Sequence, residues 1–229
     1  ALSKAEGTAG RLLYRGYNIS DLVHTSTFEE VAYLLWFGHL PTTSELAALK
    51  ADLFREYTLP PLVVQFLREL PPIADPMDVL RTAISLWGAM TVKGKPNIDQ
   101  SIAVAARFPI LLAAFSRLRN GLEPLEARRE LGHAANYLYL LTGREPRDEQ
   151  IQALNRYFVL LADHGMNAST FTARVVASTE SDIVSAVVAA IGSLKGPLHG
   201  GAPAAVLDML EAIGTPERAE GWIREALGR

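Results

Sequence analysis

From Thr25 onward, apolar residues recur every three to four positions, which places them on one face of a helix. Ser26-Thr27-Phe28-Glu29-Glu30 has the form of a capping box, and Phe28, Val31, Ala32, Leu34 and Leu35 follow at helical spacing until Gly38 and Pro41. Ser44 is positioned to cap a second helix carrying Leu46, Leu49 and Leu53, which Pro60-Pro61 would end. Asp75-Pro76-Met77-Asp78 opens a third, through Val79, Leu80, Ala83, Ile84 and Leu86 to Gly88. After Pro96 and Asn97, helical sequence runs from about Asp99 to Arg119, and Pro109 within it predicts a kink or break.

Further helices are predicted around Leu131 to Leu141, Ile151 to Ala162, Ser169 to Ser178 and Asp182 to Leu194. A last pair is predicted over about Ala204 to Ile213 and Pro216 to Leu227. No alternating stretch is long enough to propose a sheet, although Arg11 to Tyr17 could form one short strand. The pattern therefore predicts an all-α unit spanning 1–229, with no linker or repeat to divide it. Val187-Val188-Ala189-Ala190-Ile191 is apolar on nearly every face, as expected of a helix at a bundle centre or a dimer interface.

Composition narrows the classes of function. Hydrophobic residues make up 49% of the chain and the formal net charge is -3, which argues against disorder and gives no electrostatic case for nucleic-acid binding. The chain has no cysteine, which removes disulfides and thiolate metal sites and is compatible with a reducing cytoplasm. The N-terminal residues lack the apolar core of a signal peptide, and apolar runs such as Ile183 to Leu194 fall short of a membrane span. A soluble, cytoplasmic protein is expected.

Two glycine-bearing breaks carry the candidate chemistry. In Lys195-Gly196-Pro197-Leu198-His199-Gly200-Gly201-Ala202, a histidine lies between two helical runs, and Gly200 and Gly201 permit positive φ or close approach of a ligand. An imidazole at a helix terminus can serve as a donor or acid near neutral pH. An ordinary glycine-rich turn has the same composition. In Asp163-His164-Gly165-Met166-Asn167-Ala168-Ser169-Thr170, His164 could donate to an anionic ligand, and Ser169 and Thr170 have the character of an N-cap. The competing reading is capping of the next helix with His164 packed nearby. The two histidines are 199 − 164 = 35 residues apart, enough for one helix out and one back into a common cleft. No Gly-x-Ser-x-Gly elbow or phosphate-binding loop is present, and His24, His39 and His133 lack the spacing of metal ligands. The arginines at 128, 129, 144 and 147 read as a solvated face.

The chain resembles the citrate synthase family in four stretches that occur in the family's order. These are Arg11 to Tyr17 with Asp21-Leu22; Phe28 to Leu35 with Gly38, Leu40 and Pro41; Asp163 to Arg174; and Leu194 to Ala202. The resemblance implies a helical homodimer that condenses acetyl-CoA with oxaloacetate to citrate and CoA, or, in the 2-methylcitrate synthases, uses propionyl-CoA. It implies that His199 is catalytic and that His164 and Asn167 bind oxaloacetate, with acyl-CoA a co-substrate and no metal, cofactor, nucleic acid or membrane involved. In the family, the catalytic base, the residue polarising the oxaloacetate carbonyl and the small-domain CoA loop lie further along the chain. The resemblance thus makes residues 1–229 an N-terminal large-domain portion, inactive or nearly so alone, or a non-catalytic dimerising homologue. Gly165 stands where many members carry an acidic residue. Pro203 stands where Asn often follows Gly-Gly-Ala, and would stiffen the start of the next helix.

Overall fold

The computed structural model describes residues 2–92 and 94–228, with the side chains of 201–205 outside the description. It is mostly helical. The helices are α1 (Ile19–Thr25), α2 (Phe28–Phe37), α3 (Thr43–Glu56), α4 (Pro61–Glu69), α5 (Pro76–Thr91) and α6 (Ile98–Arg119). They continue with α7 (His133–Thr142), α8 (Asp148–Leu161), α9 (Ala168–Ser178), α10 (Ile183–Leu194), α11 (Gly201–Ile213) and α12 (Ala219–Leu227).

The all-α expectation needs one correction. The N-terminus forms an antiparallel sheet of β1 (Ser3–Glu6), β2 (Arg11–Tyr14) and β3 (Tyr17–Asn18) in that order. Ser3 pairs with Tyr14 and Glu6 with Arg11, while Leu13 pairs with Asn18 across a tight turn. That turn is Arg15-Gly16, with φ of 49° and 93°, the doubly positive geometry that suits a two-residue hairpin. Strands of four, four and two residues are too short to register as a period.

Capping explains most helix starts. Thr27 and Glu30 form a reciprocal capping box for α2. The cap of α3 is Thr42 rather than Ser44, because Glu45 is the residue three positions on that can reach back to Thr42 N–H at 2.7 Å. α3 ends at Glu56, ahead of Pro60-Pro61 as expected, and Pro61 also occupies the first turn of α4, a helix that the short run between prolines did not announce. Asp75 caps α5, which continues through Gly88 to Thr91.

α6 is the structural centre. Its 22 residues run on through the buried Pro109, so the helix does not break there. By length and composition α6 could cross a membrane, but 61% of its most apolar window is buried in the protein. It packs against α3, α4, α5 and α7, and joins two apolar clusters. The first holds Val63, Leu67, Ile84, Trp87 and Leu111. The second holds Leu49, Leu53, Tyr57, Ile110 and Leu140. Arg107, buried on α6, pairs with Glu56 at 2.6 Å and lies over the Trp87 ring at 4.2 Å.

Two further contacts place the site. α10 approaches α5 at Gly88, where a Cβ would come within 2.5 Å of Val184. α10 also packs along α9. α8 packs on α1 and α2, with Val159 buried beside Tyr14, Leu22, Val31 and Leu34. Asn155 of α8 accepts from Phe28 N–H at 2.7 Å and donates to Ser26 C=O at 3.1 Å, stitching α8 to the start of α2. The 163–167 segment, which carries His164, leaves from the end of this anchored helix.

Candidate active site

The turn bearing His199 follows α10 and is closed by backbone bonds. His199 N–H donates to Gly196 C=O at 2.9 Å, and Gly200 N–H donates to Leu194 C=O at 2.9 Å. Gly200 is required for close approach and not for positive φ: its φ is −76°, and a Cβ would fall 2.3 Å from the Leu194 carbonyl oxygen. Lys195 fastens the turn to α5 by ion pairs with Asp78 and, at 3.8 Å, Asp75. The Lys195 ammonium, in turn, lowers the Asp78 carboxyl below its usual range. Pro203 and its effect on the following helix lie outside the described side chains, and α11 begins at Gly201.

The second motif also differs in detail from its expected form. The N-cap of α9 is Asn167, whose Oδ1 accepts from Thr170 N–H at 2.9 Å and from Ser169 O–H at 2.9 Å. Ser169, expected as a cap, lies in the first turn with its N–H and hydroxyl turned toward His199. Its N–H donates to His199 Nε2 at 3.3 Å, and its Oγ is 3.0 Å from the same nitrogen. The fold thus brings the two motifs together at the N-terminus of α9. No local pattern announces this link, since the two residues are separated by 30 positions.

This contact sets the tautomer of His199. A ring nitrogen that accepts from a backbone N–H carries no proton, so the neutral ring has its hydrogen on Nδ1. His199 is half-buried, and Nδ1 has no partner among the described residues. Asn167 is likewise half-buried, with its Nδ2 donor unengaged among them. His164 is exposed, and Gly165 beside it has φ of +68°, which disfavours the acidic side chain expected from the resemblance. Helix α9 leaves Phe171 60% and Val175 50% exposed and buries no residue, so its outer face is apolar and uncovered. A cavity of about 750 Å³ lies elsewhere, lined by Phe54, Tyr57, Leu59, Ile110, Leu125 and Arg129, and takes none of its wall from either motif.

These observations describe a helical protein with a histidine presented beside a helix N-terminus, an arrangement suited to carbonyl and carboxylate groups. The family profile described as "Citrate synthase, C-terminal domain" matches residues 1–229. The chain is 47% identical to citrate synthase 2 of Bacillus subtilis over 94% of its length and 60% of that protein. It is 43% identical to a 2-methylcitrate synthase of Mycobacterium tuberculosis, covering all of this chain and 59% of that one. Among solved structures, citrate synthase from Thermotoga maritima superposes with a TM-score of 0.86 at 40% identity, over 99% of this chain and 61% of that one. The ternary complex of the Thermoplasma acidophilum citrate synthase with carboxymethyl coenzyme A and oxaloacetate superposes at 0.89 with 30% identity, over 98% of this chain and 60% of that one. The chain belongs to the citrate synthase family. It spans about three fifths of the length of these relatives. Because the matching profile is that of the C-terminal domain, the expectation of an N-terminal portion is replaced.

Proposed function

We propose that this chain carries part of the machinery of a citrate synthase-type acyltransferase that condenses acetyl-CoA with oxaloacetate. The observation that best supports this is the acceptance by His199 Nε2 of the Ser169 N–H, which leaves Nδ1–H as a donor. In the reaction an α-proton leaves the acyl group and negative charge grows on the thioester oxygen. A fixed neutral donor stabilises that charge without itself giving up a full proton. His164 and the Nδ2 group of Asn167 would supply donors to the carboxylates of oxaloacetate at the α9 N-terminus. The base that removes the α-proton, and the group that polarises the oxaloacetate carbonyl, would come from family segments other than these 229 residues. Propionyl-CoA is the alternative acyl donor, since the chain is 43% identical to a 2-methylcitrate synthase against 47% to a citrate synthase. Distinguishing the two requires a pocket worth only ~1–3 kcal/mol for one methylene.

We also propose a homodimer formed through α9 and α10, which would cover Phe171 and Val175 and use the small side chains of these helices for close packing. Compatible locations include the cytoplasm, where the dicarboxylate and acyl-CoA would be small-molecule partners.

Calorimetric titration of the chain with oxaloacetate tests the reading. Binding that is abolished by His164→Ala is expected, with little or no release of CoA from acetyl-CoA and no difference between wild type and His199→Ala in that release. Absence of oxaloacetate binding by the folded wild-type chain would overturn the proposed site. Rapid oxaloacetate-dependent CoA release would overturn the proposed need for further segments, and a monomeric mass in solution would overturn the dimer.

A further inference from the structure

The backbone on both sides of His164 is tied to the N-terminal sheet, although the imidazole itself is exposed. Tyr14, at the end of β2, is fully buried, and its hydroxyl reaches the end of α8. It lies 3.1 Å from Leu160 C=O and 3.0 Å from Asp163 C=O, and accepts from Asp163 N–H at 3.2 Å. One hydroxyl thereby engages both peptide groups of Asp163. Ser3, at the start of β1, donates its hydroxyl to Asp163 Oδ1. The same carboxylate oxygen accepts from Gly165 N–H at 2.7 Å, so it fixes the peptide just beyond His164. The pairing of Ser3 with Tyr14 across β1 and β2 delivers both hydroxyls to one place. Burial raises the Tyr14 phenol above its usual range, which keeps it protonated and able to donate.

We propose that Tyr14, Ser3 and Asp163 form a clamp that positions His164 for its dicarboxylate ligand, with the N-terminal sheet as its rigid support. This rests on the reading of His164 given above. The three are positioning residues, since none is assigned a contact with substrate. A loop donor gains affinity when its backbone is ordered before the ligand arrives, because less conformational entropy is then lost on binding. Simple tethering of the N-terminus would instead require only the apolar contacts of the Tyr14 ring with Leu22, Val31 and Leu34, which Tyr14→Phe preserves.

The test uses the full chain and two readouts: oxaloacetate affinity by calorimetry, and amide hydrogen exchange at residues 163–167. Tyr14→Phe and Ser3→Ala are each expected to weaken affinity roughly 3- to 10-fold, the effect of one net hydrogen bond, and to speed exchange at His164 and Gly165. Ser3→Thr, which keeps the hydroxyl, should restore both. Thr42→Ala, which removes the cap of α3 far from the clamp, should lower the melting temperature while leaving affinity unchanged. Unaltered exchange and affinity in Tyr14→Phe and Ser3→Ala would overturn the clamp, as would an equal loss of affinity in Thr42→Ala. If the wild-type chain binds no oxaloacetate, the functional reading fails, and exchange alone decides whether the sheet holds this segment.

Discussion

Mild acid should destabilise this protein through one buried imidazole before its carboxylates begin to protonate. His133 is 6% exposed at the start of α7, with Phe28 stacked on it at 4.5 Å and Phe158 edge-on at 5.7 Å. Tyr57 O–H donates to its Nδ1 at 2.5 Å, and burial raises the Tyr57 phenol so that it keeps the proton it donates. Glu29, buried on α2, accepts from the His133 backbone N–H at 2.9 Å and serves as a cap that Gly132 cannot provide. A charged ring would go without hydration in this buried site, and a protonated Nδ1 could no longer accept the bond from Tyr57. Burial accordingly lowers the His133 pKa from 6.5 to about 4, only partly offset by the Glu29 carboxylate.

The direction of the effect follows from where each state takes up its proton. The unfolded chain protonates His133 near 6.5 and the folded chain only near 4, so stability is fully present above 6.5 and is lost as pH falls through this window. Linkage with these two values makes the loss about 2 kcal/mol between pH ~7.5 and ~5.0. Carboxylates held low, such as Glu45 at about 2, contribute their losses at lower pH. Replacing His133 by Gln retains a polar group opposite Tyr57 and removes the titration. Urea unfolding midpoints measured across this range, at unchanged slope, should fall with pH in the wild type and nearly level off in His133→Gln. Parallel curves for the two proteins would refute the assignment.

Two glycines provide complementary tests. Gly88→Ala places a methyl 2.5 Å from Val184 and should cost about 1–3 kcal/mol by denaturant titration. Much of that should return in the double variant with Val184→Ala, a coupling that two independent sites would not show. Gly200→Ala places its Cβ 2.3 Å from a backbone oxygen that cannot rotate away, so the His199 turn must open. The expected result is loss of the nuclear Overhauser contact between the His199 ring and Ser169, and a retained contact would show that the turn absorbs the methyl.

Much of this protein was legible along the chain because helices are local. The capping pair Thr27 and Glu30, the Asp75-Pro76 start and the periodic apolar face of α2 are all encoded within a few residues of where they act. The two histidine motifs were visible for the same reason, as breaks in helical pattern flanked by glycine. Where the reading failed, short elements or distant partners were responsible. Helices α1 and α4 have seven and nine residues, and the N-terminal strands are shorter still, so neither built a period against the background. Ser44 lost the cap of α3 to Thr42 because the position of Glu45 decides which residue can close the reciprocal bond.

Local patterning alone was enough to specify a mostly helical chain with two glycine-flanked histidines and the family resemblance those motifs carry. How these parts meet follows from the packed fold and not from any local stretch. Ser169 reaches His199 across 30 positions, Ser3 reaches Asp163 across 160, and Tyr57 reaches His133 across 76. Each such bond depends on the packing of helices around α6 and on the pairing of β1 with β2, because a side chain's reach is a few ångströms while its partner's place is set by the whole fold.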